Sequence, residues 1–201
     1  MKFIKTLVFF TAIITLTSCA SSYKPTTPKT QNYASSSKVN NVKLEYKYNL
    51  LQKKYAKKEV KKGVKVVAIK VTNNSDNDLM FGSDIKLTFE NGKQVPIVEN
   101  NYVFKTLKQS TPIYLLYLLL SPINLYTDNG NGSTNNFPIG LIIGPGITAG
   151  NMITAASANK KFKTELLEFD INGVLIKKGE TKYGLIGIQT DTYDSLKLKI
   201  D

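Results

Sequence analysis

The chain contains no histidine, no arginine and no tryptophan, and its 201 residues include one cysteine. Without histidine, a Ser-His-Asp triad, a Cys-His dyad and the usual general base near neutral pH are excluded. With one cysteine and no histidine, the common zinc sites and an intramolecular disulfide cannot form. Arginine is the commonest reader of guanine, so its absence argues against sequence-specific DNA binding. The sequence therefore predicts no catalytic residue, no metal site, no cofactor and no nucleic-acid partner, and a carbohydrate-active enzyme with paired carboxylates is the less favoured alternative.

The charge balance is strongly basic, with 27 basic residues, all lysine, against 15 acidic ones and a net charge of +12. Such a charge favours anionic membrane surfaces or anionic polymers as partners, although AT-rich coding bias explains the same composition. Lysines are densest between residues 53 and 65, where a solvated loop or a short frayed helix is expected. The candidate anionic-surface patch comprises Lys53, Lys54, Lys57, Lys58, Lys61, Lys62 and Lys65.

The N-terminus carries an export signal. Lys2 and Lys5 precede an apolar run at 6–16 that is too short to span a bilayer, and Leu16-Thr17-Ser18-Cys19 follows directly. These four residues resemble the lipobox of bacterial lipoproteins. The resemblance implies cleavage between Ser18 and Cys19, lipidation of Cys19, and anchoring of the mature chain in a membrane through acyl chains.

The segment after the lipobox is polar. Residues 19–41 are rich in Ser, Thr, Pro, Lys and Asn, which predicts a flexible, solvated tether between the lipid anchor and the fold. The segment lacks the acidic run that follows the cysteine in surface-exported lipoproteins of the Bacteroidetes. By that resemblance we expect an outer-membrane location facing the periplasm.

Alternating apolar and polar residues predict strands in most of the remaining chain. Residues 42–50 alternate with period two, and residues 64–72 are rich in β-branched side chains. Residues 85–89 lead into the turn signal Glu90-Asn91-Gly92-Lys93, and further strands are predicted at 79–81, 95–98, 181–188 and 196–200. Short strands separated by turns are typical of an antiparallel β-sandwich, so we predict one mainly β domain over 42–201.

A span almost without charge interrupts this pattern. Between Lys108 and Lys160 lie 51 residues, of which Asp128 is the one that is charged. Apolar runs at 113–120 and 137–158 flank a connection at 128–133 that we expect to be flexible. We predict an apolar helical hairpin inserted at about 105–168. Glycines spaced four apart are the candidates for its helix–helix contact: Gly140, Gly144, Gly146 and Gly150.

Two interpretations of this hairpin stay open. It packs on the sandwich, or it enters the membrane or oligomerises. The first run is shorter than the roughly twenty residues that a spanning helix needs, and Pro145 interrupts the second. Short runs bounded by proline favour packing, and an apolar stripe facing outward would favour the membrane.

Four stretches together, at 54–74, 107–120, 137–163 and 179–188, resemble a group of uncharacterised Bacteroidetes lipoproteins. The resemblance implies an envelope location and an immunoglobulin-like β-sandwich, and it transfers no activity. We therefore expect a lipid-anchored, non-enzymatic binding or assembly module of the cell envelope. The alternative is a membrane-active or oligomerising component that works through the hairpin. Candidate partners are the membrane, envelope proteins and anionic polymers, and the oligomeric state stays open.

Overall fold

The computed structural model describes residues 19–128, 130 and 134–200. The predicted signal peptide at 1–18, including Ser18, lies outside the described residues. The described part contains eleven strands and three α-helices. The strands are β1 (Ser35–Val39), β2 (Val42–Lys47), β3 (Val64–Asn73), β4 (Leu79–Met80), β5 (Ile85–Phe89), β6 (Ile97–Val98), β7 (Leu125–Asp128), β8 (Thr134–Phe137), β9 (Leu175–Ile176), β10 (Thr181–Gln189) and β11 (Leu196–Ile200). The helices are α1 (Lys53–Lys62), α2 (Asn100–Leu107) and α3 (Gly140–Glu168), and 3-10 segments cover Pro28–Thr30 and Pro112–Leu120.

The fold is mixed, with antiparallel sheets and three helices. One sheet has five strands in the order β1-β2-β3-β10-β6, and three further antiparallel pairs are β11-β5, β4-β9 and β7-β8. Every second side chain of β2 and of β5 is buried in one core, which the five-stranded sheet and the β5-β11 pair share. This core confirms the predicted antiparallel strands, whereas the helices make the architecture less purely β than expected.

The Asn-Gly turn after β5 forms as predicted, but the returning chain changes sheet. Gly92 has a φ of 79°, and the Phe89 amide donates to the Lys93 carbonyl at 2.8 Å. Val95 still donates to Leu87 of β5 at 2.9 Å, while β6 pairs with β10 of the five-stranded sheet. This crossing connects the two halves of the core through residues 95–98.

The two glycines of β10 are required by close packing on the sheet. A Cβ atom at Gly187 would overlap a methyl group of Val103 in α2, and a Cβ atom at Gly184 would lie 2.5 Å from the Cβ of Ile171. Such distances are sterically forbidden, so α2 and the segment after α3 approach the sheet only because these side chains are absent.

The tether predicted over 19–41 is wrong for most of its length. Residues 35–39 form β1, which pairs with β2 across a turn whose residues Asn40 and Asn41 have positive φ. Tyr23 is 8 % exposed and is held by Glu165, whose two carboxylate oxygens accept from the Tyr23 hydroxyl and from the amides of Thr26 (2.6 Å) and Thr27 (2.8 Å). A carboxylate contributed by α3, far along the chain, orders this polar segment.

The contacts divide the chain into two compact units. Among the described residues, the hairpin unit comprises 19–22 together with those of Gln109–Ala158, and the sheet unit comprises Tyr23–Lys108 and 159–200. The sequence places the insertion at about 105–168, whereas the division falls after Lys108 and after Ala158. The connection at 128–133, expected to be flexible, is flanked by the paired strands β7 and β8, so a β-hairpin joins the two predicted helical segments.

Candidate functional site

The hairpin unit has a small core built between its two helical segments. Tyr114 and Tyr117 of the 3-10 segment stack with ring centroids 6.5 Å apart, and Ala155 of α3 is fully buried in the same cluster. Partly buried apolar residues complete it: Ala20, Leu120, Ile147 and Met152. This contact holds the segments side by side.

The four candidate glycines separate into two pairs. At Gly140 a Cβ atom would overlap the Leu120 carbonyl, and at Gly144 it would lie 2.8 Å from the Ser121 hydroxyl. Nothing lies within 4 Å of the corresponding position at Gly146 or Gly150. The predicted close contact therefore exists at the first pair, whereas it is wrong for the second pair, which faces open space among the described residues.

The exterior of the hairpin unit is apolar. It carries thirteen of the nineteen exposed large apolar side chains in the described part of the chain, so these side chains are concentrated in one unit. The most exposed are Ile142 (78 %), Leu119 (74 %) and Ile153 (70 %). Concentrated apolar exposure of this kind marks a surface that contacts protein or membrane.

One described helix, α3, is long and apolar enough to cross a membrane by length and composition alone. The core helix of a soluble protein passes the same test, but such a helix is mostly buried. In α3 only 22 % of the most apolar 18-residue window is buried. This low burial agrees with the outward-facing side chains.

The anchor residue Cys19 is exposed and begins the described chain of the hairpin unit. The next residue, Ala20, donates its amide to the Asn151 side chain of α3 at 2.5 Å. Ser21 and Gln109 exchange two hydrogen bonds, from the Ser21 amide to Oε1 at 3.0 Å and from Nε2 to the Ser21 carbonyl at 2.6 Å. The residues that follow the predicted lipidation site are thus bound to the unit with the apolar exterior.

Most of the predicted lysine patch folds as α1, an amphipathic helix of the sheet unit that is capped by Gly63, which has a φ of 60°. All six helical lysines lie at exposed or half-exposed positions. The ammonium of one of them, Lys58, donates to the carbonyl of Lys108. Lys65 does not belong to this patch. It is 2 % exposed, and its ammonium lies 4.2 Å from the centre of the Tyr193 ring. It is buried because Tyr193 covers that position of β3.

The buried face of α1 carries an acid. Glu59 is 3 % exposed, and its Oε1 accepts a hydrogen bond from the Val66 amide at 2.7 Å. Burial raises the pKa of Glu59 to about 7, against smaller lowering effects from that hydrogen bond and from the Lys65 charge. Sequence reasoning missed this residue, although its position four after Tyr55 on a lysine-rich helix marks it as part of the inner face.

Glycosidase chemistry requires two carboxyl groups on opposite sides of a cleft. A cleft of about 450 Å³ beside β6 is lined by one carboxylate, Glu99. A shallower hollow of about 350 Å³ is lined by Glu90 and Asp194. These two already have partners, because Lys197 lies 3.8 Å from Glu90 and the Thr192 hydroxyl donates to Asp194 at 2.7 Å. Glu59, with its raised pKa, lines neither space.

Within the described residues, no three acidic or cysteine side chains lie together as candidate metal ligands. The two candidate functional surfaces are therefore the apolar exterior of the hairpin unit and the lysines around α1. Compared with protein-family models, with curated proteins and with solved structures, the chain matches none of them.

Proposed function

We propose that the protein is a lipid-anchored, non-enzymatic module of the cell envelope whose hairpin unit rests in the membrane that holds its acyl chains. The observation that carries the proposal is the apolar exterior of the hairpin unit. It lies in the same unit as Cys19, the predicted site of lipidation. A membrane surface is thus available to cover these side chains wherever the anchor is inserted.

The energetics favour burial of this exterior. Each fully buried aliphatic side chain contributes about 1.5–3 kcal/mol relative to exposure to water, so several of them outweigh the marginal affinity of a single acyl chain. The absence of charge between Lys108 and Lys160 apart from Asp128 removes the main cost of placing the unit at membrane depth. The interpretation in which the hairpin packs on the sandwich stays the alternative.

The sheet unit is the soluble part of the protein in this proposal. The shared core of the five-stranded sheet and the β5-β11 pair supports an immunoglobulin-like β-sandwich as the soluble part. The lipobox and the polar segment without an acidic run support a Bacteroidetes-type lipoprotein on the periplasmic side of the outer membrane. In this proposal the sandwich binds envelope proteins or anionic polymers close to the membrane surface.

A second candidate function is assembly through the hairpin. Gly146 and Gly150 lie four residues apart on α3 and have open space at their Cβ positions. A second apolar helix can approach closely at such a pair. Cross-linking of the protein in vesicles into discrete oligomers, lost on Gly150→Leu, would favour assembly over simple membrane contact.

The proposal is tested with a fluorophore attached to one introduced cysteine in the acylated protein, because acylation consumes the thiol of Cys19. We choose Ile142→Cys and Leu119→Cys in the hairpin unit, with Leu175→Cys, an exposed apolar position of β9, as the matched control. In phosphatidylcholine vesicles, lipids carrying a quencher on the acyl chain should quench the two hairpin probes strongly and the β9 probe weakly. Equal, weak quenching at all three positions would refute membrane contact by the hairpin.

The anchor is tested separately. Cys19→Ala should leave the precursor unprocessed or release the protein from its acyl-dependent membrane fraction, because the acceptor thiol is lost. Mass analysis of the N-terminal peptide of the unmutated protein should show acyl groups on Cys19. Normal processing of Cys19→Ala would contradict the lipoprotein assignment without affecting the test of the hairpin.

A further inference from the structure

Two lysines of the sheet unit approach one aromatic ring, and one of them is joined to a helix that carries three more. The lysine cluster is defined as Lys54, Lys58 and Lys62 of α1, Lys108 after α2, and Lys163 of α3. The ammonium groups of Lys108 and Lys163 lie 5.7 Å and 5.5 Å from the centre of the Phe104 ring. The ammonium of Lys58 donates to the carbonyl of Lys108, which joins α1 to the end of α2. Three elements of the fold therefore direct positive charge to one place.

The cluster concentrates charge of one sign. Among the described residues, no carboxylate lies within 4 Å of Lys58, Lys108 or Lys163. Several lysines of the sheets have such partners, as in the Lys70–Glu45 pair at 2.8 Å. Burial lowers the pKa of Lys58, and the charges of three neighbouring lysines of the cluster lower it further. An anion bound among these groups would relieve their repulsion.

The cluster is also close to the lipid anchor along the chain. Tyr23 packs on Tyr55 of α1 and on Phe162 of α3, with ring centroids 5.2 Å and 5.3 Å away. Lys54 and Lys163 directly adjoin these two aromatic residues in sequence. Cys19 precedes Tyr23 by four residues, which reach at most about 14 Å when fully extended. The chain therefore leaves few residues between an acylated Cys19 and the aromatic residues that adjoin Lys54 and Lys163.

We infer that the lysine cluster binds the phosphates of anionic lipid headgroups in the membrane that anchors Cys19. This inference rests on the proposed lipid anchor and deepens the proposed function. The cluster differs from the patch predicted from sequence, since it includes Lys108 and Lys163 and excludes the buried Lys65. The acyl chains hold the protein at the membrane, and the cluster sets which face of the sheet unit touches it.

The test uses the full acylated protein in lipid nanodiscs and measures the acetylation rate of each lysine by mass spectrometry. Discs of phosphatidylcholine alone are compared with discs containing phosphatidylglycerol. We expect acetylation of Lys58, Lys108 and Lys163 to be about threefold slower or more in the anionic discs, and to recover in high salt. Lys93, exposed in the turn after β5, is the internal control and should react at similar rates in both discs.

A variant sharpens the result. Lys108→Gln should reduce the protection of Lys58 and Lys163, because it removes a charge between them, whereas Lys93→Gln should not. Equal acetylation of the cluster in both kinds of disc would overturn the inference. Protection by inorganic phosphate in neutral discs, with none from phosphatidylglycerol, would overturn the lipid source in favour of a soluble anion. Co-elution with the disc and the mass of the Cys19 peptide report on the anchor independently, so failure of the proposed function is distinguishable from failure of this inference.

Discussion

The buried carboxyl of Glu59 makes the stability of the sheet unit depend on pH in a direction opposite to that of ordinary surface acids. In the unfolded chain this group titrates near 4.5, whereas burial under α1 raises its pKa in the folded protein to about 7. Between these values the folded protein keeps a proton that the unfolded chain has lost. The free energy of unfolding must therefore fall as the pH rises through this window.

The size of the effect follows from the two pKa values. Their difference, about 7 minus 4.5, corresponds to about 3 kcal/mol at roughly 1.4 kcal/mol per pKa unit. Glu59→Gln keeps the shape and the oxygen that accepts from the Val66 amide at 2.7 Å, but it cannot titrate. The variant should match the wild type in stability near pH 4 and exceed it by about 3 kcal/mol near pH 8.

The assay is urea unfolding in a non-ionic detergent at intervals between pH 4 and pH 8. Far-ultraviolet circular dichroism is the probe, because the chain lacks tryptophan. The quantity of interest is the difference in unfolding free energy between Glu59→Gln and wild type. Glu90→Gln removes the same formal charge at an exposed position and should leave the Glu59-dependent slope in place. A difference that stays constant from pH 4 to pH 8 would refute the reasoning, since it would mean that Glu59 titrates alike in both states.

Three further predictions concern packing and buried hydrogen bonds. Gly140→Ala should destabilise the hairpin unit by about 1–3 kcal/mol in thermal unfolding, because the added Cβ meets the Leu120 carbonyl. Gly150→Ala, which has open space at the Cβ position, should be neutral or stabilising. Equal effects of the two substitutions would exclude a close contact at Gly140. Deleting residues from Leu196 onward removes β11 and should unfold β2 and β3 as well, because these strands share one core with β11. Slow amide exchange in residues 42–98 of the truncated protein would contradict the shared core. Glu165→Ala should free residues 23–31 for proteolysis and cost about 1–3 kcal/mol, because it leaves one buried and one half-buried amide without their acceptor, whereas Tyr23→Phe should lose less. Unchanged proteolysis would show that the carboxylate does not hold the segment.

Local pattern was enough to predict most strands. Period-two alternation at 42–47, 85–89 and 196–200 requires one buried face, and the structure has strands there with that burial. The Asn91-Gly92 turn was also predictable, because positive φ at glycine is a local property. The adjacent Asn40 and Asn41 carry a similar local signal for the β1-β2 turn, because asparagine accepts positive φ, but the polar composition around them predicts a tether instead.

Two predictions from sequence were wrong because contacts with residues far along the chain determine the local structure. The polar segment at 23–27 is ordered because Glu165 accepts its amides, an interaction that no composition reveals. Lys65 is buried because Tyr193 lies over its ammonium, although a lysine at that place in the chain reads as part of the exposed run.

The candidate sites show the same division. The sequence alone shows that the span 109–159 has almost no charge, that it holds glycines at helical spacing, and that seven lysines lie in the range 53–65. Contacts in the folded chain determine which apolar side chains are exposed and which glycine pair is packed, and they bring Lys108 and Lys163 together at Phe104. The physical reason is that periodicity reports which residues share a face of an element. What covers that face depends on contacts between residues far apart in the chain.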